Sequence, residues 1–373
     1  MRIGIDARMM TPKATRGIGR YVEELVRALL AVAPEHRYVL VTRQPIHPFS
    51  THPSVETIVA DVPWYGVREQ VNMPGVFRKI GCDVIHIPHW NVPVAYSGPL
   101  VVTIHDLLLR HEPASARIST RGPLIATIKR AGYRWTIAAA LAHAKKILVP
   151  TAFVADDLRT LYPGVAPKIV ITGEGMGRKT APSPLRSSAP PSSDYLLYVG
   201  SAYPHKGLDL LLDAWAELEM RHPSLHLKIA GADDEFMRRT RIAVQRRGLP
   251  RIEFLGYVDD AQLTGLYREA LALVFPSRFE GFGLPPLEAI QAGCPVVSSD
   301  AAALPETLGP DAAFFFQSGS RTAILGAIER VLQDPNAARE MAMSALPGLQ
   351  ARHDWAAAAK RTLAVYESVV GMT

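Results

Sequence analysis

Two carboxylates, Glu280 and Glu288, flank a glycine-rich turn in the stretch Phe275-Pro-Ser-Arg-Phe-Glu-Gly-Phe-Gly-Leu-Pro-Pro-Leu-Glu288. The apolar run before it, Ala270 to Phe275, reads as a buried strand. Gly281 and Gly283 allow close backbone approach, and Pro285 and Pro286 sit where a helix begins. A strand, a glycine turn and a helix N-terminus aim amide groups and the positive end of a dipole at one spot, which suits an anion. A pocket for phosphate alone gains nothing from two carboxylates at its rim. A ligand carrying both phosphate and many hydroxyls does use them, and a nucleotide sugar is such a ligand. A bare pair of glutamates at this spacing would read as a helix-dipole partner and a solvated loop residue. The glycines, prolines and preceding strand argue for the site.

Other residues extend the same chemistry. Lys206, in Tyr198-Val-Gly-Ser-Ala-Tyr-Pro-His-Lys-Gly-Leu208, follows a strand and a turn at the head of a helix, where a cation can face a diphosphate. His105 and Asp106 end the apolar strand Val101-Val-Thr-Ile-His-Asp-Leu107, placing an imidazole at a strand's carboxyl end. Gly17, Gly19 and Arg20, in Arg16-Gly-Ile-Gly-Arg-Tyr21, lie between the first strand and first helix, where glycines admit a ligand to the backbone. His86 and His89 lack a carboxylate at metal-ligand spacing and read as structural. Trp90 and Trp64 are candidates to stack on an acceptor sugar. The chain contains no Asp-x-Asp triplet, which argues for a diphosphate clamp of cations and helix dipole with no metal and no cofactor.

The segment from Pro276 to Ala289 closely resembles the Glu-x7-Glu motif of retaining glycosyltransferases of family 4, P-S-x-x-E-G-F-G-L-P-x-L-E-A, and the likeness runs on through Gly293-Cys-Pro-Val-Val297. The resemblance implies that Glu280 contacts the transferred sugar, that Phe282, Gly283 and Leu284 offer amides to sugar and diphosphate, and that Glu288 holds the ribose. It implies that Tyr257 and Val258 line the base. The stretch around Lys206 resembles the family's Y-V-G-R-x-x-x-x-K-G, in which Arg and Lys neutralise the leaving diphosphate. Ser201 stands where that Arg is expected, and Arg278 is a candidate substitute. Thr103-Ile-His-Asp-Leu107 is similar to a family T-I-H-D-L whose His contacts the transferred sugar, a role that falls on His105. The glycine loop at Gly17 and Gly19 is similar to a family donor or acceptor loop, with Arg20 on the acceptor side. Glu174-Gly-Met176 occupies the family's N-G-V position and is expected to be a hinge.

Composition sets outer limits. The chain has 373 residues, 48% apolar and 20% charged, which suggests two domains with substantial cores. The net charge of +6 is spread along the chain; the densest run, Arg238-Arg-Thr-Arg241 with Arg246-Arg247, reads as a solvated helix face. That distribution does not point to nucleic acid. Cys82 and Cys294 lie far apart, as in a reducing cytoplasm. The first residues already read as a strand with no signal peptide, and no run approaches the roughly 18 apolar residues of a membrane span.

These residues need a frame, and the pattern supplies one. Strand-like and amphipathic helical segments alternate throughout, predicting α/β architecture with parallel sheets. Strands are expected at Arg2–Asp6, Tyr38–Thr42, Thr57–Ala60, Val84–Ile87, Leu100–Ile104, Ile147–Val149 and Ile169–Ile171. After a Pro- and Ser-rich stretch, Thr180 to Ser193, the pattern restarts at Tyr195 and runs to a strand near Ala313–Phe316 and three closing helices. The division is 1–175, an acceptor-binding Rossmann-like domain; 176–194, a linker; 195–353, a donor-binding Rossmann-like domain; and 354–373, a helix returning to the first. The resemblance implies the GT-B fold, two doubly wound domains facing across a cleft that holds the ligands.

The expectation is a cytoplasmic, metal-independent, retaining glycosyltransferase. It would move a hexosyl unit, mannosyl by resemblance to enzymes of O-antigen, capsule and exopolysaccharide synthesis, from GDP-mannose or a UDP-sugar. The acceptor would be a glycan or a lipid-diphosphate-linked glycan, with a peripheral place at the inner membrane surface. Three other readings share the residues: a soluble glucan or disaccharide synthase, a nucleotide-sugar 2-epimerase, and a non-catalytic nucleotide-binding partner.

Overall fold

A computed structural model describes residues 1–10, 17–45, 47–112, 123–177 and 194–371. The Pro- and Ser-rich segment expected to be a linker and Arg16 of the glycine loop lie outside the described residues. Two compact units divide the chain, and each has its own sheet. One comprises Met1–Leu107, Arg117–Gly175 and His353–Thr373; the other comprises Leu108–Ala116 and Met176–Arg352.

The first unit carries β1 (Arg2–Asp6), α1 (Ile18–Val32), β2 (Arg37–Thr42), β3 (Val55–Val59), α2 (Val67–Lys79), β4 (Val84–Ile87) and β5 (Leu100–Thr103). It continues through α4 (Pro123–His143), β6 (Lys146–Val149), α5 (Ala152–Leu161) and β7 (Ile169–Ile171) and closes with α13 (Trp355–Val370). Its seven strands are ordered β3-β2-β1-β4-β5-β6-β7 and pair in parallel. Every residue of β4 and β5 is buried, as expected for central strands covered on both faces. The α1 stripe Tyr21, Val22, Leu25, Val26 and Leu29 follows helical spacing and is buried. Ala359, Val365, Tyr366 and Val369 of α13 enter the same core. Asp354 starts α13 by accepting hydrogen bonds from the amides of Ala356 and Ala357.

The second unit carries α3 (Leu108–His111), β8 (Tyr195–Val199), α6 (Leu208–Arg221), β9 (His226–Ala230), α7 (Glu235–Arg247), β10 (Ile252–Gly256) and α8 (Asp260–Glu269). It continues with β11 (Ala272–Phe275), α9 (Leu284–Gln291), β12 (Val296–Ser299), α10 (Leu304–Leu308), β13 (Phe314–Phe316), α11 (Arg321–Gln333) and α12 (Pro335–Arg352). Its parallel strand order is β10-β9-β8-β11-β12-β13. The order reverses at β8 and β11, the kind of switch point outside which doubly wound sheets bind ligands. Trp215 of α6 is wholly buried in this core. Helix starts follow local chemistry: Asp259 and Gln262 form a reciprocal capping box on α8, and Asp234 caps α7. The basic run on α7 is solvated as expected, with Arg238 and Arg239 both paired to Glu235. Helix α9 begins at Leu284, so both prolines fall in its first turn.

Candidate functional site

The β8 and β11 ends of the second sheet bring Lys206 and Glu280 together. A 3-10 turn, Pro204–Lys206, follows β8 and ends at Gly207 in the left-handed conformation, with φ of 67°. A Cβ at Gly207 would stand 2.0 Å from the Pro276 carbonyl oxygen, so only glycine lets this turn lie against the loop after β11. The contact continues through main chain, the Arg278 amide donating to the His205 carbonyl at 2.6 Å. Lys206 Nζ then donates to Glu280 Oε1 at 2.6 Å, and Ser277 Oγ donates to the same oxygen at 2.6 Å. The Glu280 carbonyl accepts from the Ala303 amide at 3.2 Å, fixing the carboxylate's own backbone. Both partners of the ion pair are partly solvent-exposed, so a ligand can reach them.

Gly281, Phe282 and Gly283 lead from Glu280 into α9. Gly283 adopts φ of 94°, and a Cβ there would stand 2.6 Å from Leu304. Pro285 and Pro286 have no N–H, so the first turn of α9 retains amides only at Leu284 and Leu287. An anion at this helix end would therefore be met by Leu284 and the glycine-turn amides. Glu288 lies half-buried in the second turn of α9. Phe282 is buried in the core, which leaves its main chain for a ligand.

Elsewhere on the same rim the placement refines the sequence expectations. Tyr257 is 52% exposed after β10, whereas the Val258 side chain is buried in the core, so only its backbone is available to line a base. The main-chain carbonyl of Ser201 accepts from Tyr198 Oη at 2.6 Å. Arg278, the candidate substitute for a cation there, is instead paired with Asp209 at 2.7 Å.

In the first unit, His105 follows β5 and is tightly held. Its Nδ1 faces Glu174 Oε1 at 2.8 Å and its Nε2 faces the Pro88 carbonyl at 3.2 Å. Tyr21 sits edge-on at 4.6 Å between ring centroids. Burial opposes charge on the imidazole, but the Glu174 carboxylate, Asp106 and the Pro88 carbonyl together offset it, and the pKa is raised. Sequence reading missed Glu174 as a partner of His105. The available signal was a carboxylate between two glycines just past a strand's carboxyl end.

His86 is structural, as expected: it is wholly buried between Thr103 Oγ1 and Tyr366 Oη, each 2.7 Å away. Trp90 joins an aromatic cluster with Tyr65, His89 and Tyr133. Gly17 is exposed and precedes α1 with φ of 56°, Gly19 is buried in the first turn, and Arg20 is half-buried beside it. A second network missed from sequence holds this rim together. The buried Arg8 donates to Asp6 and to Glu69, both at 2.6 Å, and Glu69 also accepts from Asn91 and the Tyr65 amide. All these groups satisfy one another, which ties the segments after β1, β3 and β4 together. Among the described residues no cluster of three His, Cys, Asp or Glu side chains could hold a metal ion. None of the described helices is long and apolar enough to cross a membrane.

Residues 15–175 match the model described as Glycosyltransferase Family 4, and residues 185–346 match that of Glycosyl transferases group 1. The chain belongs to glycosyltransferase family 4. Among relatives of this transferase, a glycogen synthase of Mycobacterium tuberculosis is 28% identical, with 98% of this chain and 94% of that protein covered. O-antigen chain mannosyltransferase B of Escherichia coli is 32% identical over 61% of each. The transferase superimposes on sucrose-phosphate synthase from Thermosynechococcus elongatus with a TM-score of 0.79, at 22% identity and full coverage of both chains. WaaG, a glycosyltransferase involved in lipopolysaccharide biosynthesis, gives 0.74 at 17% identity, with 98% and 99% covered. These structures share its fold class, two Rossmann-like units of the GT-B type.

Proposed function

We propose that this transferase moves a mannosyl unit, with retention, from GDP-mannose to a lipid-diphosphate-linked glycan in cell-surface polysaccharide synthesis. The observation that carries the sugar-transfer chemistry is the Lys206–Glu280 pair set beside the glycine turn into α9. Cleavage of a glycosyl phosphate builds negative charge on the departing diphosphate, and pre-placed cations and amides stabilise it without reorganisation. Lys206 and the amides near Leu284 supply those groups. Glu280 takes sugar hydroxyls, Glu288 the ribose, Tyr257 the base, and His105 the transferred sugar. Arg20 and Trp90 serve the acceptor. The proton of the acceptor hydroxyl passes to the leaving phosphate, so no metal and no cofactor is required. The likeness to O-antigen mannosyltransferases supports the mannosyl assignment, and the basic chain suits an anionic inner-membrane surface.

A soluble glucan synthase is the second reading, favoured by the glycogen synthase likeness along nearly the whole chain. A donor panel separates the two. The protein is incubated with GDP-mannose, UDP-glucose and ADP-glucose, and free nucleotide release is followed with and without a lipid-linked acceptor or a soluble glucan. GDP release from GDP-mannose, stimulated by the lipid-linked acceptor and suppressed in Glu280→Ala, is expected. Turnover of a glucosyl donor onto soluble glucan would overturn the mannosyl reading.

A further inference from the structure

The hydrogen-bond partners of three neighbouring histidines assign their protons. Nδ1 of His89 accepts from the Asn91 amide at 3.1 Å, so that nitrogen carries no proton and the ring is neutral. His86 lies between two hydroxyls, which can each donate or accept, so a neutral ring satisfies both. His105 differs from both. Its two ring nitrogens face a carboxylate oxygen and a main-chain carbonyl oxygen, and neither of those can donate. A neutral ring would turn a lone pair toward one of them, leaving a poorly solvated acceptor pair.

We infer that Glu174 is a positioning residue that holds His105 as an imidazolium, with an N–H on both nitrogens and no basic site left. The inference rests on the reading that His105 faces the transferred sugar. It deepens that role by making the ring a fixed cation, both N–H groups held by Glu174 and the Pro88 carbonyl, that cannot accept the acceptor's proton. Glu174 suits the task, being only 6% exposed on the loop after β7 and held opposite the ring. The groups around His105 bear this out by sign. Asp106, next in the chain, adds a second negative charge, and Tyr21 from α1 meets the ring by its edge. His86 and His89 are both pushed down to about 3, by burial first and by the charge on His105 second. Arg361 of α13 bonds the Thr172 carbonyl at 2.7 Å, holding the loop that carries Glu174. The balance of these groups raises the His105 pKa above the ordinary imidazole value, the direction that favours the imidazolium. The stability it contributes is complete below the ordinary imidazole range and is lost as pH rises through the folded-state value.

Long-range proton–nitrogen spectra of the imidazoles of the whole chain test this without any substrate, His105 being identified by its absence in His105→Gln. At pH 7 both His105 nitrogens are expected at imidazolium positions. In Glu174→Gln the midpoint should fall by about one pH unit or more, and Glu174→Asp should restore part of it. A neutral His105 in the wild type at pH 7, or equal midpoints in wild type and Glu174→Gln, overturns the inference. If Glu174→Gln does not fold, the wild-type spectrum alone decides. The spectrum decides the charge even where the donor panel fails. Where turnover is found, its alkaline limb should move to lower pH in Glu174→Gln, and an unmoved limb would remove the catalytic consequence.

Discussion

The carbonyl oxygen of Pro276 occupies the place where a side chain on Gly207 would begin. The two backbones meet there, the conformation at Gly207 is left-handed, and Lys206 and Glu280 are neighbours as a result. Gly207→Ala therefore faces both a backbone clash and a strained dihedral. We expect a loss of about 2–3 kcal/mol of stability, read in urea denaturation, together with weaker nucleotide binding. Wild-type stability in that variant would show that the turn yields easily.

Removing the charge on either side of the ion pair should separate stability from activity. Lys206→Ala and Glu280→Gln touch a partly exposed pair, so each should cost only about 1 kcal/mol of folding stability. Turnover should fall by about 10²–10³-fold in Lys206→Ala, the scale seen when one pre-placed donor to a developing charge is lost. Steady-state nucleotide release beside a thermal melt checks both halves. A fall in turnover that merely tracks unfolding would count against the assigned role.

Acid should destabilise this protein through its buried neutral histidines. Burial pushes His86 and His89 down to about 3 and His205 to about 4, in the last case with Lys206 adding to the effect. Between those values and the ordinary 6.5 the unfolded chain binds more protons than the folded one, so stability falls as pH falls through that window. Melting temperatures from pH 7.5 to 4.5 should decline, and the slope should be shallower in His86→Asn. An equal slope in wild type and variant would mean that other groups govern acid sensitivity.

Tyr366 gives a direct measure of how much α13 matters to the first unit. It is wholly buried, and its hydroxyl meets His86 Nδ1 at 2.7 Å. Tyr366→Phe removes one hydrogen bond from a buried ring and should cost about 1–3 kcal/mol. Tyr366→Ala opens a cavity as well and should cost about 3–5 kcal/mol. Denaturant titration of both variants orders the two costs, and near-equal losses would mean that the ring fills no space in the core.

The frame was legible because its signals are local. Most central strands are short, largely apolar runs, and many described turns between strand and helix carry a glycine, proline or capping residue that sets their geometry. The Lys206 and Glu280 positions were legible for the same reason, each lying in a strand–turn–helix passage. Their hydrogen-bonded contact was not, because the two residues are 74 apart in sequence and meet only where the loop after β11 packs on Gly207. Glu174 escaped for a related cause: it is 69 residues from His105 in sequence, and nothing in Gly-Glu-Gly itself announces an imidazole. Val258 was legible as a residue just past β10, but the turn of its side chain into the core was not. Arg8, Asp6 and Glu69 form a buried charged network that no periodicity reveals, since burial of charge is decided by partners and not by pattern.

The placement of Tyr366 and Val369 in the first unit's core has a consequence for how the protein is made. The first unit's sheet leaves the ribosome before the second unit, yet some of the side chains that complete its hydrophobic interior arrive only with α13, after that unit. Until then α1 exposes the apolar surface that α13 later covers. The nascent N-terminal half must persist incomplete while the whole second unit is synthesised, a span during which chaperone binding and premature proteolysis compete with closure.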